Sequence, residues 1–339
     1  MVSQRPVLRI SSIACAVLVM LAMSRLSASI AGGREGVATA GAAFSAPSVN
    51  IVLSGAAHEA QFAVAFSSQR GVAVGSGGSI MASSDAGASW RHEDSPTTLA
   101  LLGVDVSDTA AMAVGQQGVI LVRRSTDAKW RAAKSGTDNR LFAVSLNSRG
   151  SAIAVGAFGT VIASRDGGET WQSVAPIWKN FAAEGIDPHV YAAHIGSDGV
   201  MMLAGEFGLI LRSATGGAVW ELLHKGDASL FAMQLRDDGV GYAVGQSGTI
   251  LRTLDRGSTW NVLPSVSNAN LLGVYSASDG DVVATGMRDM LISGDGGDTW
   301  RHVATGDTTT SWYAGVAQAG PTAPIVMVGH AGQIAHVGR

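Results

Sequence analysis

A glycine placed just after a small apolar pair recurs along the chain at Gly75, Gly115, Gly156, Gly205, Gly245, Gly286 and Gly329, in steps of 40, 41, 49, 40, 41 and 43 residues. A tryptophan follows at Trp90, Trp130, Trp171, Trp220, Trp260 and Trp300, 15 residues after the glycine in five units and 14 in the sixth. A fixed period near 40 residues admits few folds. Each unit opens on an apolar run such as Phe62-Ala-Val64, Leu102-Gly-Val104, Phe142-Ala-Val144, Tyr191-Ala-Ala193, Phe231-Ala-Met233 or Leu272-Gly-Val274. Large apolar residues two apart are expected to share one buried strand face. Three more short strands fit in each unit: the run ending in the first glycine, the Gly-x-Ile run, and the run opened by Trp. Four strands per 40-residue unit, repeated, predict an all-β, seven-bladed β-propeller of four-stranded antiparallel blades.

The seventh unit lacks its Trp-led strand. It has Trp312-Tyr-Ala, Val328-Gly329 and Ile334 to Val337 before the sequence stops. Val49 to Leu53 precede the first unit without a partner and resemble Asn261-Val-Leu263, a fourth strand. The expectation is that this N-terminal strand completes the last blade and leaves no open edge there. The propeller domain is assigned to residues 48–339.

Ahead of it, residues 1–31 read as a signal peptide. Arg5 and Arg9 precede an apolar run of 11 residues, Ile13 to Met23, which is too short to span a bilayer, and Ser29-Ile-Ala31 suits a cleavage site. Retention as an anchor is the alternative. Residues 32–47 read as a flexible linker. Cys15 is the single cysteine and does not follow a lipidation-type box, so cleavage leaves a chain without thiols. The reading is an exported, periplasmic protein. A net charge of -3 with no basic stripe argues against nucleic acid.

The turn before each Trp resembles the Asp-box, or BNR repeat, Ser-x-Asp-x-Gly-x-x-Trp. Asp85 with Trp90, Asp166 with Trp171, Asp255 with Trp260 and Asp295 with Trp300 match; unit four has Thr215 in place of Asp, and in unit two Ser125 stands there with Asp127 two residues on. A carboxylate accepting from its own turn, with glycine supplying positive φ, explains the box without a ligand. The Trp is expected to cap the outer edge of the blade core.

The whole frame resembles the photosystem II assembly and stability factor family, exported seven-bladed propellers; Ser164 to Trp171 and Ser293 to Trp300 carry the likeness most closely. The resemblance implies a non-enzymatic assembly factor that binds a membrane-protein intermediate, on the lumenal side in photosynthetic hosts. The lipid-attachment cysteine of many cyanobacterial members and their Arg-rich surface have no counterpart here. Sialidases also carry Asp-boxes, so a sialidase-like glycoside hydrolase is the alternative; it requires an arginine triad, a Tyr nucleophile with a Glu partner and an Asp acid. Tyr191 and Tyr313 read instead as core. His189 and His194 lack a third ligand, and no metal or cofactor is expected.

In a four-stranded meander, the second-to-third turns and the blade-to-blade loops share one face. The pairs between the glycines therefore converge on one rim: Ser76-Gly77, Gln116-Gln117, Ala157-Phe158, Glu206-Phe207, Gln246-Ser247, Met287-Arg288 and His330-Ala331. Their chemistry varies while the frame stays fixed. Phe158 and Phe207 read either as exposed anchors or as rings tucked under the 172–190 loop, which carries Pro176, Trp178, Lys179, Phe181, Glu184 and His189. That loop is about nine residues longer than its counterparts, which points to function or to a self-packed cap. The expected partner site comprises Gln116, Gln117, Phe158, Trp178, Lys179, Glu206, Phe207, Gln246, Arg288 and His330. The expected partner is a protein, a membrane-complex subunit, met by a monomeric propeller.

Overall fold

The computed structural model describes residues 47–338. The expected signal peptide, and all of the expected linker except Pro47, lie outside the described residues. Seven four-stranded antiparallel sheets follow one another, each a meander from an innermost to an outermost strand. The innermost strands are Gln61–Ser67, Leu101–Val106, Leu141–Leu146, Val190–Ile195, Leu230–Leu235, Leu271–Ser276 and Tyr313–Gln318, and they contact one another in a closed cycle around an axial channel. Blade seven is completed by Ser48–Leu53, which pairs antiparallel with Ile334–Gly338 and sets Val49 opposite Val337. The ring closes as the unpartnered N-terminal strand predicts.

Each middle strand alternates its side chains between two neighbours. In blade three, Ala152 and Ala154 pack towards blade two, while Ile153 and Val155 pack towards blade four. The result is seven apolar cores, one between each pair of adjacent blades. The box tryptophans belong to these layers. Trp171 packs between blades two and three, and Trp260 between blades four and five. They seal joints between blades rather than the outer edge of a single blade. The closing strand serves two joints, Val49 towards blade six and Leu53 towards blade one.

The opening strand of every unit differs from the simple alternation. All seven innermost strands carry a bulge at their second residue, as between Gln61 and Ala63, and between Leu141 and Ala143. A bulge adds one residue and breaks the period of two. Gln61, Leu101 and Leu141 are therefore the buried positions, and Phe62, Leu102 and Phe142 are only half-buried. Tyr313 is core, as expected, but Tyr191 sits at a bulge and is half-buried.

Four turns form complete Asp-boxes. In the first, Ser83 Oγ donates to Asp85 Oδ1 (2.8 Å), Ser89 N–H to the same oxygen (2.9 Å), and Ser89 Oγ to Oδ2 (2.5 Å). Trp90 Nε1–H then donates to the Gly87 carbonyl (3.0 Å). The boxes of Asp166, Asp255 and Asp295 repeat these carboxylate bonds. In blade four the Thr215 hydroxyl takes over part of the work by accepting from Val219 N–H (2.8 Å). In blade two Asp127 accepts from Arg124 N–H (3.1 Å). A basic side chain of the preceding blade reaches several of these turns. Arg165 donates to the Gly216 carbonyl, Arg252 to the Gly296 carbonyl, and His336 Nε2 lies 2.8 Å from the Gly87 carbonyl.

Inside the channel, side chains of one innermost strand serve the exposed N–H edge of the next. Asp105 Oδ2 accepts from Leu146 N–H (2.9 Å), Ser145 Oγ from Ile195 N–H (3.2 Å), and Gln234 Oε1 from Ser276 N–H (2.6 Å). An edge inside a closed ring has no other strand to pair with, so these residues complete it.

Deleting residues 48–53 should strip the last blade of its outer strand and open two joints. The expected outcome is a melting temperature lower by about 10 °C and a broadened transition in calorimetry.

The carboxylates predict two opposite pH slopes. Hydrogen bonds from the Ser89 hydroxyl, the Ser89 N–H and the Ser83 hydroxyl hold Asp85 at about 2, against an ordinary 3.8. Bonds from the Thr170 hydroxyl and N–H, and from Ser164, hold Asp166 lower still. A depressed folded value contributes stability above pH ~4 that is lost as pH falls towards the folded value. Burial inside the channel instead pushes Asp105 up to about 6. Its contribution has the reverse sign, with stability falling as pH rises from ~4 to ~6. Thermal melts across pH should show both slopes, and Asp105→Asn should remove the second while leaving the first.

Candidate functional site

The rim turns of every blade but the sixth share one backbone geometry. Each turn, the sixth included, runs from the first glycine through two residues to the third strand, with its second residue at positive φ: Gln117 (53°), Phe158 (52°), Phe207 (58°), Ser247 (55°), Arg288 (56°) and Ala331 (49°). The first glycine allows a close approach to the innermost strand. A Cβ on Gly115 would stand 2.0 Å from the Ala100 carbonyl oxygen. The next glycine, Gly118, combines a φ of 67° with a Cβ position 1.8 Å from the Thr137 carbonyl oxygen. Only glycine fits both demands. In blade six Asp289 replaces it, bonding His302 Nδ1 (2.8 Å) and accepting from the Ser267 hydroxyl (2.6 Å).

The two residues between the glycines divide the labour. The first turns inward to the start of its own innermost strand. Gln116 Oε1 accepts from Ala100 N–H (3.2 Å), Glu206 Oε2 from His189 N–H (2.8 Å), and Gln246 Oε1 from Ser229 N–H (3.4 Å). Gln116, Glu206 and Gln246 are thus half-buried braces as well as rim residues. His330 occupies the same position in blade seven, and its Nε2 lies 2.7 Å from Asp307 Oδ2. Burial acts to raise the Asp307 carboxyl, but hydrogen bonds from Tyr313 and His330 outweigh it and hold the group below the ordinary range. The second residues form an outward crown. Gln117, Arg288 and Ser247 are exposed, Phe158 is 66% exposed and Phe207 37%.

Of the two readings for the phenylalanines, the structure takes the exposed one. It takes the other for Trp178. That side chain is only 7% exposed, and its Nε1–H donates to the Gly159 carbonyl (2.9 Å). It packs in the core between blades three and four, with Phe181 against it. In blades one, two and five the equivalent glycine is covered by the backbone of a short Ser-x-Thr or Ser-x-Ser turn at Ser95, Ser135 and Ser265. In blade three the indole fills that place. Trp178 is a cap and not an exposed anchor. Lys179, Ile177 and Ile186 remain exposed on the loop.

The bulges bring further residues to this face. Phe142, Tyr191 and Phe231 meet around the channel mouth, with centroids 5.3 Å apart in each neighbouring pair. His189 joins them, 5.1 Å from the Phe158 ring, and its Nδ1 accepts from Phe158 N–H (3.0 Å). Across the mouth Phe62 stacks on Trp312 at 6.0 Å. The sequence does carry a signal for this collar. The doublets Leu101-Leu102, Leu141-Phe142, Leu230-Phe231 and Leu271-Leu272 break alternation where each bulge falls.

Tyr191 and Glu206 form a Tyr–Glu pair at the mouth, at a long 3.4 Å. Burial and the Glu206 charge both push the Tyr191 hydroxyl far above its ordinary range, which disfavours a phenolate nucleophile. The other tyrosine hydroxyls are tied into the frame, Tyr242 to the Gly296 carbonyl, Tyr275 to Gln318 and Tyr313 to Asp307. His189 and His194 are not joined by a third ligand, and no group of three metal-ligating residues occurs among the described residues.

No protein-family model and no curated protein matches the sequence. Solved structures do match in shape. A structure described as YCF48 bound to D1 peptide superposes with a TM-score of 0.65 at 17% identity, covering 87% of this chain and 96% of that one. YCF48 from Cyanidioschyzon merolae gives 0.66 at 17% identity, covering 85% and 98%. The extracellular domain of a one-component system from B. thetaiotaomicron gives 0.64 at 11% identity, covering 86% of this chain and 39% of that one. At such identity the likeness is one of fold.

Trp178→Ala should cost roughly 3–5 kcal/mol of stability, since it empties a core site and orphans a carbonyl. Phe158→Ala should change stability by less than about 0.5 kcal/mol. Denaturant titration of both variants checks the contrast.

Proposed function

We propose that this chain is an exported, non-catalytic propeller that docks a protein partner, a subunit or assembly intermediate of a membrane complex, on the extracytoplasmic side. The observation that carries the reading is the crown at the channel mouth. Phe158 and Phe207 stand exposed in adjacent blades, held at positive φ on a rigid frame, above the aromatic arc of Phe142, Tyr191 and Phe231. Loop aromatics presented by a stiff scaffold make interface anchors, because little side-chain freedom remains to be lost. Gln117, Lys179 and Arg288 supply a polar border.

The similarity in shape to a propeller bound to a D1 peptide supports a peptide or protein as ligand, in a role like that of a photosystem II assembly factor. The Asp-box carboxylates favour a binding role over acid–base chemistry, since each is saturated by donors of its own turn. The propeller acts as a monomer in this reading.

The test compares the full chain with a Phe158→Ala, Phe207→Ala double variant in crosslinked capture from the membrane fraction. The wild type should enrich a defined membrane-complex subunit. The double variant should lose it while its melting temperature holds. Equal enrichment by both proteins, or enrichment of soluble proteins alone, defeats the assignment.

A further inference from the structure

We infer that the channel mouth over blades three and four recognises a cationic side chain, arginine or lysine, flanked by apolar residues in the docked peptide; this rests on the docking reading above. The central observation is Glu206. The residue is half-buried at the mouth, and its carboxylate accepts from the His189 N–H (2.8 Å) and the Tyr191 hydroxyl (3.4 Å). Among the described residues no Lys, Arg or His forms an ion pair with it.

Other half-buried or buried carboxylates on this face have such a partner. Glu93 has Arg91 and Arg123, Asp289 has His302, and Asp307 has His330. Two bases of the flanking blades are otherwise occupied. Lys225 Nζ donates to the Phe181 carbonyl (2.8 Å), and Arg140 is itself engaged. A half-buried acid left without a counter-charge in the free protein is a place for an incoming cation.

The surroundings suit the same guest. Tyr191 contacts Phe142 and Phe231, Phe207 follows Glu206 directly, and Phe158 packs edge-on against His189. Aromatic faces attract ammonium and guanidinium groups as well as apolar side chains. The Gln116 and Gln246 braces make the same backbone bond as Glu206 without a charge. The brace alone therefore does not require an acid in blade four, and the charge is free to act on a ligand.

The probes are three capped peptides of sequence acetyl-Ala-Leu-X-Phe-Ala-amide, with X as Arg, Gln or Glu, titrated into the full chain by calorimetry. The Arg peptide should bind about tenfold more tightly than the Glu peptide, with Gln between them. Glu206→Gln keeps the acceptor for His189 N–H, so it should fold with an unchanged melting temperature and lose the preference. Equal affinities, a preference for Glu, a preference that survives Glu206→Gln, or no binding of any of the three overturns the inference. The crosslinked capture separates this failure from that of the docking reading. Capture that needs Phe207 but ignores Glu206→Gln removes the cation site alone. Capture that needs neither removes the docking surface.

Discussion

A four-stranded sheet of alternating small and branched apolar residues has two greasy faces and cannot bury either alone. In this chain each face finds its cover on the next blade, so the structural unit is the joint between blades rather than the blade. Seven joints exist only if the ring is closed. Closure depends on a six-residue strand, Ser48–Leu53, whose apolar side chains reach the joints on both sides of blade seven. The polar features follow from the same constraint. Asp105, Ser145 and Gln234 satisfy N–H edges that face the axis, and Arg165, Arg252 and His336 hold the turn of the following blade.

That economy leaves few residues free for a ligand. The Asp-box acids are saturated internally, the box tryptophans seal joints, and the inward rim residues brace the innermost strands. What remains is the outward crown and the collar produced by the bulges. Chemical variety is concentrated there. The same turn carries Gln117, Phe158, Phe207 or Ser247 without change in its backbone, and blade six presents Arg288 on a variant of it. A scaffold of this kind changes its recognition chemistry at almost no cost to its fold.

The architecture was largely legible in the sequence because its signals are local. The first glycine of each rim turn is demanded by backbone crowding, and the Asp of each of the four complete boxes bonds the Ser or Thr four residues after it within one turn. The closing strand was legible by subtraction, as one strand too many at the start and one too few at the end. The fate of loop side chains was less legible, because it is decided by neighbours distant in the chain. Trp178 looked like a surplus aromatic on a long loop. It is instead the replacement for a Ser-x-Thr or Ser-x-Ser turn that blades one, two and five supply. The collar was hidden for a different reason. Phe62 and Val64 fit a period of two, yet a bulge between Gln61 and Ala63 changes which of them is buried. The consecutive apolar pairs record that bulge in four of the units.

The pairing of Val49 with Val337 also has a consequence in time. During synthesis Val49 emerges well before Val337, so all of the strands between them must be produced before the two can meet. Until then the growing chain is an incomplete arc with a bare apolar blade at each end. Contacts so distant in sequence form slowly, and the exposed ends attract the wrong neighbours meanwhile. The same strand that gives the finished molecule its rigidity makes its biogenesis dependent on whatever shields the arc.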